Sequence, residues 1–128
     1  MTPADQVTLE LPRGKAFHGI ANLVLGGLAS RLQATVESLE DLQLALETLL
    51  ERAEADSVTV TLSVTDGVLE TLVGPVADAV RSELAEAGEP GLGLQRVLRT
   101  VADEVDLSER EGAVWVTLRK SLAPVGGG

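Results

Sequence analysis

The stretch from Val58 to Val73 limits the fold of this chain more than any other. Val58, Val60, Leu62 and Val64 alternate with Thr59, Thr61, Ser63 and Thr65; Asp66-Gly67 follows, then a second apolar run from Val68 to Val73. Alternation at period two puts one set of side chains on one face of a strand. Asp-Gly supplies the positive-φ residues that a two-residue hairpin loop requires. The segment is expected to form an antiparallel hairpin with one face turned toward a core. Such a sheet needs a second layer to cover that face.

The rest of the chain supplies the layer. Val7, Leu9 and Leu11 alternate and read as a strand, ended by Pro12-Arg13-Gly14. Phe17, Ile20, Ala21, Val24, Leu28 and Leu32 mark a helical face between Lys15 and Leu32. Gly26-Gly27 in its middle costs about 1 kcal/mol per glycine relative to alanine, and suggests close packing or a local bend. Ser38 with Asp41 three residues on looks like a capping-box start. The helix it opens carries Leu42, Leu46, Leu49, Leu50 and Ala53 on one side and Gln43, Glu47, Glu51, Arg52 and Glu54 on the other. Gly74-Pro75 is expected to close the hairpin's second strand. Val76, Val80 and Leu84 then mark a short helix ended by Gly88-Glu89-Pro90. A helix with Leu94, Val97, Leu98 and Val101 on one face comes next. A strand over Glu104–Ser108, a Glu111-Gly112 turn and a strand over Ala113–Lys120 close the order. Strands that are mostly consecutive make a mainly antiparallel sheet with helices on one face, an α+β two-layer sandwich. One domain is expected over residues 1–122, with 123–128 as a loose tail.

Composition narrows the function. The 128 residues carry a net charge of −10 and 2% aromatics, so both the basic footprint and the stacking platforms of a nucleic-acid binder are missing. There is no cysteine, which excludes a disulfide scaffold, a thiolate nucleophile and a Cys-ligated metal. The only histidine, His18, sits one position off the main apolar face of the first helix and is expected at the surface or half-buried. With it alone, a zinc site is not expected. The N-terminal residues do not read as a signal peptide, and the apolar run Ile20–Ala29 is too short to span a bilayer. A cytoplasmic protein with no membrane or nucleic-acid partner is expected.

The loop Gly91-Leu92-Gly93-Leu94 runs into a helix, an arrangement that can offer backbone N–H groups to a phosphate. The alternative is a tight connection into a packed helix. Taken with Asp41-Leu42-Gln43-Leu44-Ala45-Leu46-Glu47, Val101-Ala102-Asp103-Glu104-Val105 and Val116-Thr117-Leu118-Arg119-Lys120, the loop completes an order of motifs. In that order the chain, from about Val7 to Leu122, resembles the bacterial anti-sigma-factor serine/threonine kinases. These are a branch of the GHKL (histidine-kinase-type) ATPase superfamily. The resemblance implies the GHKL sandwich fold. It implies an N-box helix with a Glu that activates the attacking group and, one turn on, an Asn that holds Mg²⁺. It also implies a carboxylate for the adenine amino group and glycines that let the backbone approach the phosphates.

The chain departs from that pattern at each polar position. The Glu slot falls on Thr48, which is no general base near neutral pH, and the Asn slot on Arg52, a cation that cannot ligate Mg²⁺. The first glycine box reads Val73-Gly74-Pro75-Val76, with no carboxylate before Asp78. A one-residue shift would put Glu47 and Glu51 in the two slots but still supplies no Asn. By resemblance, nucleotide contacts would fall on Arg52, Gly74, Gly91, Leu92, Gly93 and Leu94, with Arg52 a direct phosphate clamp in place of the metal. The missing groups favour a regulatory relative that works by binding proteins, with no cofactor, no metal and no catalytic residue. A sigma factor or an anti-anti-sigma-like protein is the implied partner, and a homodimer is compatible with it. The alternative is an active ATP- and Mg²⁺-dependent kinase using Glu47 or Glu51. Trp115, opposite Val114, Val116 and Leu118 on its strand, is either a partner anchor or packed beneath a neighbouring element.

Overall fold

The computed structural model describes residues 5–31, 34–85 and 94–121. Five strands form one sheet in the order β1-β2-β3-β5-β4. They are β1 (Asp5–Pro12), β2 (Ser57–Thr65), β3 (Val68–Val76), β4 (Glu104–Arg110) and β5 (Ala113–Ser121). Every pairing is antiparallel. The helices are α1 (His18–Arg31), entered through a 3₁₀ turn at Lys15–Phe17, α2 (Val36–Leu50), α3 (Ala79–Ala85) and α4 (Leu94–Val101). The α+β architecture expected from the sequence is the one observed.

Both hairpins turn where the sequence placed them. Asp66 and Gly67 have φ of 52° and 77°, and Glu111 and Gly112 have 53° and 79°. Two successive positive-φ residues match the right-handed twist of the flanking strands. Val58, Val60 and Leu62 of β2, Leu69 and Val73 of β3, and Val114, Val116 and Leu118 of β5 point to the same side and are buried. Opposite them lie Ala21, Leu25 and Leu28 of α1, Leu42, Ala45, Leu46 and Leu49 of α2, Val80 of α3 and Leu98 of α4. α1 packs on β2, α2 on β3 and α4 on β4, so the helices form one layer on one face.

Four local expectations are corrected. α2 begins one turn before Ser38: Thr35 is its N-cap, with its Oγ1 accepting from the Ser38 N–H at 3.0 Å. An extended residue whose hydroxyl takes an orphan N–H competes well for that position. Second, Gly74-Pro75 does not close β3. The strand continues to Val76 through a cis Gly74-Pro75 bond, and its register with β5 shifts between Val73 and Val76, so the short helix starts later, at Ala79. Third, a Cβ at Gly26 or Gly27 would meet nothing within 4 Å, so close packing within the chain does not explain the pair. Finally, His18 is 9% exposed, and its Nδ1 has no hydrogen-bond partner. His18 lies on the same face of α1 as Ala21, Leu25 and Leu28, which is the face turned inward, whereas Ile20 of the expected face is 44% exposed. Among the described residues no helix is long and apolar enough to cross a membrane. The expected tail lies outside the described residues.

Candidate functional site

Thr48 lies in the last turn of α2, whereas Arg52, expected on the same helix, sits in the turn beyond its end at Leu50; by the family resemblance these two positions correspond to the N-box slots. Thr48 is half-buried, and its hydroxyl donates to the Leu44 carbonyl at 2.7 Å, within its own helix. Arg52 reaches across to α3. Its Nη2 lies 3.1 Å from Glu83 Oε2 and its Nε 3.4 Å from Glu83 Oε1. Its Nη1 donates to the Thr48 carbonyl at 3.1 Å. The guanidinium thus faces the two Glu83 oxygens with its Nε–Nη2 edge, a bidentate geometry in which arginine binds a planar anion well.

The main chain of the same residue is also engaged. The Arg52 carbonyl accepts from Ala77 N–H at 2.7 Å, and Ala53 forms a bridge with Val76. These bonds lead directly into α3. On its other side α3 is tied to the sheet by Arg81 Nη2, 2.7 Å from Glu109 Oε2 and 3.3 Å from Asp78 Oδ1. Hydrogen bonds to Glu109 and then to Asp78 raise the Arg81 pKa above its already high value. No signal in the sequence marked Glu83 as Arg52's partner, because 31 residues separate them.

Glu47 and Glu51 are exposed. Glu51 lines an open cavity of about 480 Å³ with Arg13, Gly14 and His18, beside the start of α1 and away from Arg52's partner on α3. Among the described residues no group of three or more His, Cys, Asp or Glu side chains is placed to hold a metal. Gly91, Leu92 and Gly93 lie outside the described residues. Leu94 opens α4, and Arg96 on that helix is exposed.

Gly74 faces the opposite side of the sheet. A Cβ there would overlap the Cγ, Cδ2 and Cε3 atoms of Trp115. The glycine therefore makes room for the indole on the open face, where β3 carries its register shift. Arg110 covers Trp115 with its guanidinium 5.3 Å from the ring centroid, a cation–π distance. Beside them Arg119 bridges Glu70 at 2.8 Å and Asp106 at 2.9 Å. Trp115 is packed within its own sheet face by Gly74 and Arg110.

This arrangement of helices and sheet has close counterparts. The serine-protein kinase RsbW of Bacillus licheniformis is 30% identical over 142 aligned residues, covering 93% of this chain and 87% of that protein. The chain belongs to the RsbW serine-protein kinase family. RsbW of Bacillus velezensis is 27% identical, covering 94% and 88%, and RsbW of Bacillus subtilis is 26% identical, covering 93% and 87%. No family model matches. Among solved structures, the RsbU and RsbW domains of a Mycobacterium tuberculosis protein superpose with a TM-score of 0.67 at 16% identity. That match covers 94% of this chain, which spans 32% of the solved one.

Within an RsbW-type frame, the residues at the N-box positions do not suit a metal-bound nucleotide. A guanidinium held against a carboxylate offers no lone pair to Mg²⁺. A threonine hydroxyl is no general base near neutral pH, and this one is occupied donating into its own helix. At Gly74-Pro75, which the resemblance aligns with the first glycine box, the glycine makes room for Trp115.

Proposed function

We propose that this RsbW-family chain is an anti-sigma-type regulatory protein that acts by binding proteins, with ATP binding and kinase activity lost. The observation that carries the reading is the Arg52–Glu83 pair: the metal-holding slot is a cation, already paired with a carboxylate of the same chain. Thr48, bonded to Leu44, supports the loss of the base, and Gly74-Pro75 supports the loss of the adenine-reading acid. The domain extends over residues 1–122 and acts in the cytoplasm. Its partner is a sigma factor or an anti-anti-sigma-like protein. Self-association as a homodimer belongs to the same reading.

α1 supports protein binding. It carries no charged residue from His18 to Ser30, although the chain's net charge is −10. Ile20 is 44% and Leu23 78% exposed, and the glycines at 19, 26 and 27 leave open space above the backbone. An uncharged, apolar-tipped helix face on an acidic molecule is where a protein partner meets the least desolvation cost.

A titration with millimolar Mg-ATP, followed by calorimetry and thermal melting, tests the reading. Neither binding heat nor a change in melting temperature is expected. A rise of several degrees sinks the proposal in favour of a kinase that uses Glu47 or Glu51, since a ligand that binds only the folded state stabilises it.

A further inference from the structure

α3 has only seven residues, Ala79–Ala85, too few to hold a helix in water without outside contacts. What holds it is therefore a question with a structural answer. Val80 is fully buried beneath it. Two ion pairs tie it to its neighbours, Arg52–Glu83 to the turn after α2 and Arg81–Glu109 to the end of β4. Arg52 contributes twice, because its carbonyl also receives the Ala77 N–H at the entry to the helix. One residue thus fixes both the start and the later half of α3.

The two pairs differ in their surroundings. The side chains of Arg52 and Glu83 are 29% and 34% exposed, against 47% and 54% for Arg81 and Glu109. The Arg52 guanidinium places all three nitrogens, two on Glu83 and one on the Thr48 carbonyl. A more sheltered, doubly bonded arginine pair is screened less by solvent and loses less side-chain freedom per bond. It is the more sheltered of the two ties.

We propose that Glu83 is a built-in occupant of the Arg52 slot, and that this carboxylate straps α3 to α2 in the absence of any nucleotide. The proposal rests on the reading of a vacated nucleotide site. In it, the slot that the family uses for a ligand-bound metal has become a contact of the chain with itself. α3 then keeps one position irrespective of ATP, and the protein offers partners a single, permanently assembled helix layer.

Hydrogen–deuterium exchange of the full chain without nucleotide tests this. The variants are Glu83→Gln and the charge swap Arg52→Glu with Glu83→Arg. Glu83→Gln is expected to speed exchange in peptides spanning 77–85 about fivefold, with the β2–β3 peptides unchanged. The swap is expected to recover most of the protection. Wild-type exchange rates in 77–85 for Glu83→Gln overturn the proposal, as does loosening that the swap leaves uncorrected. Adding Mg-ATP to the wild type separates the two ideas. If ATP binds and α3 still loosens in Glu83→Gln, the loss-of-nucleotide reading fails and the strap stands. If ATP does not bind and Glu83→Gln changes nothing, the strap alone fails.

Discussion

On its inner side α2 presents Leu42, Ala45, Leu46 and Leu49 to the sheet, all buried. At its C-terminal end Thr48 bonds within the helix, and Arg52, in the turn that follows, reaches Glu83 of α3. The inner side carries residues that any RsbW-type sandwich needs, because a helix resting on a sheet must cover it with close-packed apolar volume. The polar residues at this end are not structurally idle. Arg52 pairs with Glu83, and Thr48 lends its carbonyl to Arg52. Packing constrains the first set through volume, whereas the second is constrained only by what the helix must hold. Apolar volume thus sets the helix layer, while the polar residues at its edge are held by contacts within the chain.

Three substitutions sharpen the contrast, in falling order of effect. Leu46→Ala removes a fully buried side chain from the inner side. It is expected to cost about 2–5 kcal/mol in chemical denaturation, the range for a leucine cavity. A loss near zero would mean that α2 is not the centre of the core. Gly74→Ala acts on the other face of the sheet, where the new methyl meets the base of the Trp115 ring and not a flexible end. A loss of about 1–3 kcal/mol is expected for this overpacking. Combined with Trp115→Ala, the two losses should fall short of their sum, because residues in contact are coupled. Additive losses would show that Gly74 serves something other than the indole. Thr48→Ala is the smallest change. It removes a hydroxyl bonded only within its own helix, so stability should stay within about 0.5 kcal/mol. Partner capture should also be unchanged. If Thr48→Ala abolishes a phosphotransfer activity, this end of the helix is catalytic and the comparison collapses.

Some elements were readable in the chain itself because their causes are local. The β2–β3 hairpin follows from period-two alternation and Asp66-Gly67, and the β4–β5 turn from Glu111-Gly112. The start of α2 was misplaced by one turn because Thr35 and Ser38 are both good caps, and sequence alone does not rank them. His18 falls on the inner face because that face runs through Ala21, Leu25 and Leu28 and not through Ile20, a choice that a helix apolar nearly all round leaves to tertiary packing.

The sequence by itself determined the antiparallel hairpins, the two-layer plan and the apolar stripe of α2, though not that of α1, where Ile20 is exposed and Leu25 is buried in its place. These depend on spacing along the chain, which periodicity reports directly. Only the tertiary structure decided that β5 lies between β3 and β4, that Gly74 yields its space to Trp115, and that Arg52 is answered by Glu83. Each of these joins residues far apart in sequence. Nothing local encodes such a meeting, because it arises only when the sheet and the helix layer close on each other.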